Sequence, residues 1–154
     1  MRRCGRVRDP MGSFRLHLHE APVSTLAEGT FEVKVLPLAT PDGVDTGGFA
    51  RLSIDKQFSG DLVGTSRGQM VAARTAVEGS AGYVALERVS GALNDRTGSF
   101  ILQHFGTMRG GTQELKITVV PDSGDGELTG LDGSMRIIIE GGEHSYQFEY
   151  TIAG

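Results

Sequence analysis

Apolar and polar residues alternate along much of the chain. Residues 29–38, GTFEVKVLPL, place Phe31, Val33 and Val35 on one face and charged side chains on the other. Residues 49–58, FARLSIDKQF, repeat the pattern. Because successive side chains of a strand point to opposite faces, a period of two predicts half-buried β-strands in both segments.

The same pattern continues towards the C-terminus. Residues 82–91 and 99–108 are two such segments, and the turn-like NDRTG at 94–98 between them predicts a hairpin with a five-residue turn. Residues 144–152, HSYQFEYTI, alternate again. Residues 62–75 fit either a short helix or a strand, and we interpret them as a strand. The chain thus contains about eight predicted strands and no clear helix.

A sheet of about eight antiparallel strands must bury one face and protect its edges. A small antiparallel eight-stranded β-barrel does both, and a two-sheet sandwich is the alternative. Two glycine-rich segments, residues 59–70 and 124–135, share spaced Gly, Leu and Met residues. Since glycines inside strands often mark bends where a sheet curls, they favour the all-β barrel.

Composition and charge narrow the class further. The chain has 154 residues, a net charge of −4 and one cysteine. We predict a basic, flexible extension over residues 1–25 and a single barrel domain over 26–154, with Met11 as an alternative start. An acidic body argues against nucleic-acid binding, and no apolar run is long enough for a membrane span. The lone Cys4 favours a cytoplasmic location.

Three ionisable residues fall where the alternation predicts the interior. Glu87 lies in GYVALERVSG, His104 alternates with Phe100 and Leu102, and Lys56 is in phase with other apolar residues. If they converge, they could serve as acid, base and cation in the isomerisation or cyclisation of a small hydrophobic molecule. The alternative is a structural ion pair, because buried charges are normally paired for solvation reasons alone.

Aromatic residues give the remaining candidates for a ligand-binding cavity: Tyr83, Tyr146, Phe148 and Tyr150. No metal site is predicted, because His17 and His19 lack a third ligand and the acidic turn at 122–132 departs from a calcium-binding loop. No cofactor-binding motif is present, so we expect none.

Six long segments follow one another along the chain: GTFEVKVLPL, SIDKQFSGDLVGTSRGQM, GSAGYVALERVSGAL, GSFILQHFGTM, VVPDSGDGELTGLDGSM and HSYQFEYTI. Together they resemble a bacterial family, the domain of unknown function 3224. The resemblance implies a small barrel similar to allene oxide cyclase and the dirigent proteins, with no established activity and no catalytic residue to carry over. Phe105 stands where a small residue is expected, and we predict that it narrows the cavity.

Two functions follow from these observations. In the first, the barrel binds a small hydrophobic molecule, with or without catalysis. In the second, side chains fill the interior and the outer surface serves a structural or protein-interaction role. Whether the chain is an enzyme stays undecided at this point. Four apolar residues predicted to be exposed hint at a homo-oligomer: Ile101, Phe105, Ile137 and Ile139.

Overall fold

Eight antiparallel strands close into a barrel in which each strand pairs with its neighbours in sequence and β1 pairs with β8. This computed structural model describes residues 21–153. The strands are β1 (Thr25–Pro37), β2 (Ala50–Gly60), β3 (Leu62–Arg74), β4 (Ala81–Leu93), β5 (Arg96–Arg109), β6 (Thr112–Val119), β7 (Leu131–Glu140) and β8 (Glu143–Ile152). The predicted all-β barrel is confirmed, and residues 62–74 form a strand rather than a helix.

One predicted turn is wrong. The β4–β5 hairpin turns on two residues, Asn94 and Asp95, and not on the five residues of NDRTG. Both have positive φ, 45° and 69°, which is the conformation a two-residue hairpin loop requires and which Asn and Asp tolerate better than most residues. Gly98 lies inside β5, opposite Gly91.

One end of the barrel, which we call the plugged end, is filled. The segment 120–130 lies at this end, where the backbone N–H groups of Val120 and Asp125 donate to the Ile101 and Ser99 carbonyl groups of β5, and it contains a short 3-10 helix, Gly126–Leu128. The Leu128 side chain is fully buried. Asp125 accepts hydrogen bonds from the backbone N–H and hydroxyl of Ser99 at 2.7 and 2.8 Å. These hydrogen bonds hold the segment 120–130, which we call the plug, against β5.

The opposite end, which we call the open end, is less well covered. Burial of the inward-facing side chains decreases towards it along several strands. Val35, Leu115 and Ile139 face inward near this end yet remain 44%, 41% and 58% exposed. The core therefore fills the plugged half of the barrel and thins out towards the open end.

The barrel wall is weakest between β6 and β7. Only two residue pairs join these strands, Ile117 with Met135 and Thr118 with Ser134. A groove of about 810 Å³ follows this seam, and its lining includes Leu115, Ile137 and Ile139, which face inward. The interior is therefore accessible from the side as well as from the open end. Across residues 21–153, no helix has the length and apolar character needed to cross a membrane.

Candidate functional site

The three ionisable residues predicted to face the interior meet at one point. Lys56 Nζ and His104 Nε2 each lie 2.9 Å from Glu87 Oε1. Glu87 has no exposed surface, and Lys56 and His104 are 6% and 3% exposed. Register explains the convergence: Lys56 pairs with Ser66 on β3, and Glu87 is opposite Gly68 one step along the same face. We call Lys56, Ser66, Glu87 and His104 the charged cluster.

Ser66 is a member of the charged cluster that sequence reasoning missed. Its hydroxyl donates to Glu87 Oε2 at 2.9 Å, so both carboxylate oxygens have partners. The signal was present, because Ser66 alternates in phase with Gly64, Gly68 and Met70, and β3 buries that face. A small hydroxyl on such a face has to find a hydrogen-bond partner.

The cluster keeps Glu87 ionised. Burial raises the pKa of Glu87, but the hydrogen bond from His104, the charge of Lys56 and the charge of His104 together outweigh it and lower the pKa from 4.5 to about 2. An ionised carboxylate can only accept hydrogen bonds, so Nε2 of His104 carries a proton that it donates to Glu87. Glu87 thereby fixes the orientation of the imidazole ring.

Aromatic rings flank the lysine. Lys56 Nζ lies 4.9 Å from the centre of the Phe31 ring and 5.8 Å from that of Phe58. Both distances are within the range of cation–π attraction, which helps to hold an ammonium group away from water. The charged cluster therefore lies against the aromatic side chains Phe31 and Phe58 of the packed core.

The four predicted ligand-binding aromatic residues divide into two groups. Tyr83 lies near the open end, half-buried, with its ring over Gly106 of β5, where a Cβ atom would collide with it. Burial, followed by the nearby charge of Glu87, raises the pKa of Tyr83. This residue lies within electrostatic reach of the charged cluster.

Tyr146, Phe148 and Tyr150 belong to the packed half. Their side chains are 1%, 0% and 7% exposed and are members of the hydrophobic core. The Tyr146 hydroxyl donates to the Ser59 carbonyl and accepts from the Leu62 N–H, and the Tyr150 hydroxyl accepts from Asn94. Their hydroxyl groups thus tie strands and turns together, and their role in ligand binding stays a prediction.

One prediction about the apolar residues is wrong: Phe105 does not narrow the interior, because its side chain is on the outer face of β5 and is 59% exposed. The predicted exposure is confirmed for Phe105 and for Ile139, which is 58% exposed, whereas Ile101 and Ile137 are only partly exposed. Ile137 and Ile139 face inward, opposite Tyr146 and His144 of β8. The run Ile137–Ile139 contains no polar residue, so the alternation of polar and apolar residues could not show which of its side chains face inward.

No group of His, Cys, Asp or Glu suited to a metal ion occurs within residues 21–153. The predictions concerning Cys4, His17, His19 and the basic extension up to residue 20 lie outside the described residues.

Comparison with known proteins agrees with the fold and leaves the activity open. The family described as Protein of unknown function (DUF3224) matches residues 27–150. A solved structure of a protein with unknown function from this family, from Shewanella oneidensis MR-1, is 47% identical, with 86% of this chain and 100% of that chain covered and a TM-score of 0.77. No curated protein matches the chain. The extent of the family match and this identity show that the chain belongs to the DUF3224 family.

Proposed function

We propose that the open end of the barrel binds a small hydrophobic molecule, with the charged cluster as the polar floor of the site. The observation that carries the proposal is the exposure of inward-facing apolar side chains, Val35, Leu115 and Ile139, above a buried set of charges. An eight-stranded barrel has room for packed side chains or one small ligand. Ligand sites typically combine apolar walls with a few fixed polar groups.

We further propose proton transfer by His104, as an isomerase or cyclase would need. Because Nε2 donates its proton to Glu87, Nδ1 is the ring nitrogen left to exchange a proton with a substrate. In the neutral ring this atom is a proton acceptor, which could take a proton from one carbon of a substrate and return it to another.

Glu87 fits a positioning role better than that of a base. A carboxylate with a pKa of about 2 holds a proton too weakly to remove one from carbon near neutral pH. Its contacts instead orient His104, and Lys56 balances its charge. Of the three predicted catalytic residues, this assigns the proton transfer to His104 alone.

The binding proposal is tested with a fluorescent apolar probe, N-phenyl-1-naphthylamine. Ile139→Glu places a charge among the inward-facing residues and should weaken probe binding about tenfold or more. Val63→Glu is the matched control, because Val63 is 59% exposed, as against 58% for Ile139, but faces outward near the plugged end. Equal loss in both variants, or loss in neither, would contradict binding at the open end.

The proton-transfer proposal is tested with a nitrobenzisoxazole. A base removes the ring C–H proton of this probe while the N–O bond breaks, and a coloured phenolate forms. His104→Gln should lower the rate about 100-fold or more if the imidazole is the base. An unchanged rate in this variant, with probe binding retained, would contradict proton transfer by His104 and leave only the binding proposal.

The alternative is a non-catalytic barrel filled by its own side chains. The plugged half supports it, because Phe58, Phe100, Tyr146 and Phe148 fill that region with less than 3% exposure each. Native mass spectrometry of protein purified from its own host separates the two functions. A co-purified small molecule that is absent from Ile139→Glu favours the ligand site.

A further inference from the structure

The outer wall of the barrel carries an apolar patch on β3, β4 and β5, which we call the β3–β5 patch. Register places Val71 opposite Val84 and Val84 opposite Phe105, so the three form a row across the strands. They are 38%, 52% and 59% exposed, and Leu86 beside them is 55% exposed. A groove of about 750 Å³ lies over the patch and also contacts Ile101. Adjacent apolar residues exposed together commonly mark an interaction site.

Positive charges border the β3–β5 patch. Arg67 and Arg88 are directly opposite each other on β3 and β4, and both side chains are exposed. Like charges in this position repel and destabilise a sheet. Neither arginine forms an ion pair with a carboxylate of residues 21–153, although Asp55 of β2 is opposite Arg67. Hydrogen bonds from Ser99, and then the charge of Arg88, lower the pKa of Asp125. Arg51 and Lys116 extend the border, opposite Val71 and Phe105 respectively.

The opposite wall of the barrel has the complementary character. On β8 and β1 the outward-facing residues include Glu28, Glu32 and Glu149, all exposed, and Leu26, which is 53% exposed. We call these four residues the acidic wall. Lys34 and Arg136 lie at its margins. Since β8 and β1 are on the far side of the closed barrel from β4, one molecule presents both surfaces in opposite directions.

We propose that a second copy of this chain docks its acidic wall on the β3–β5 patch. The contact would bury the exposed apolar residues of both surfaces and supply carboxylates to Arg67 and Arg88. Because two different surfaces meet, the association is head-to-tail and repeats from copy to copy, either closing into a ring or continuing as a filament. The inference does not rest on the proposed function, although Leu26 and Glu149 of the acidic wall also line the groove along the β6–β7 seam.

Sedimentation velocity of the full 154-residue chain tests the association. At tens of micromolar protein we expect oligomers in low salt that dissociate as sodium chloride approaches about 1 M, where the screening length falls to about 3 Å. A monomer at every salt concentration would overturn the proposal. So would an oligomer whose size does not change with salt. A chain that stays monomeric and co-sediments with added anionic lipid vesicles would also overturn the proposal.

Charge reversal tests the head-to-tail geometry. Arg67→Glu/Arg88→Glu should abolish association, and so should Glu28→Lys/Glu149→Lys; circular dichroism and thermal melting check that each remains folded. Mixing the two variants should restore oligomers, because the reversed patch of one matches the reversed wall of the other. Association of the arginine-reversed variant alone, or failure of the mixture while both remain folded, would rule out this pairing of surfaces.

Discussion

At the scale of single residues, Glu87 combines a structural contact with a functional one. It accepts hydrogen bonds from Lys56, Ser66 and His104 while having no exposed surface. A charge without contact with water is tolerated only when partners replace that water. The same contacts that stabilise the carboxylate fix the ring of His104, so the two roles are not exclusive.

Replacing Glu87 with Gln should therefore destabilise the fold. The change keeps the shape but leaves the buried ammonium group of Lys56 without a counter-charge, and the free energy of unfolding should fall by about 3 to 5 kcal/mol. Urea denaturation measures it. Glu114→Gln, at an exposed position on β6, is the control and should change stability by less than about 0.5 kcal/mol.

A second substitution shows whether the stability lost in Glu87→Gln comes from the unpaired charge of Lys56 or from a change in packing at position 87. Lys56→Met in the Glu87→Gln background removes the orphaned charge, and most of the lost stability should return. Unchanged stability in Glu87→Gln together with lost probe binding would instead mean that the carboxylate serves the ligand site alone.

The lowered pKa of Glu87 makes stability depend on pH in a definite direction. The folded-state pKa, about 2, is below the ordinary value of 4.5, so the stabilisation is complete above about pH 5 and is lost as the pH falls towards 2. The loss attributable to this group is about 3 kcal/mol. Because other carboxyl groups titrate in the same range, the measurement is the difference between wild type and Glu87→Gln in urea denaturation. A difference that stays constant from pH 6 to pH 2.5 would refute the assignment.

At the scale of strands, glycine makes room for the cluster. A Cβ atom on Gly68 would lie 2.5 Å from the Leu86 carbonyl oxygen and 2.6 Å from Glu87 Cβ. Gly68→Ala should therefore push β3 from β4 and lower stability by about 1 to 3 kcal/mol. Gly82→Ala is the matched control, since the nearest atom to its Cβ would be 3.8 Å away. Equal melting temperatures for the two variants would contradict the close contact at Gly68.

Much of this architecture could be predicted from alternation alone. The period of two identified the strands and assigned Lys56, Glu87 and His104 to the inner face. It could not supply the distances between them, because these depend on strand register and barrel tilt, which no single segment encodes. The β4–β5 turn was misjudged for a related reason: Asn94 and Asp95 suffice for a hairpin, and Arg96 already belongs to β5.

At the scale of the whole molecule, the two ends of the barrel differ in construction. The plug closes one end with Leu128 and the hydrogen bonds of Asp125, whereas the other end is bordered by apolar side chains left in contact with water. The seam between β6 and β7 leads to the same region. A molecule that enters the barrel would therefore approach the charged cluster from the open end or through this seam.

The seam should also be the first part of the wall to open. Beyond the pairs at Ile117 and Thr118, the facing backbone groups of β6 and β7 lack the ladder that joins β1 to β8 over Thr25–Phe31. Amides of Thr112–Lys116 that point towards β7 should exchange with deuterium about 100-fold or more faster than those in the β1–β8 ladder, because local opening there breaks few contacts. Nuclear magnetic resonance resolves the individual amides. Saturating N-phenyl-1-naphthylamine should slow the exchange of these β6 amides if the probe enters by the seam. Equal exchange rates for the β6 amides and the amides of the β1–β8 ladder in the free protein would contradict a lateral opening.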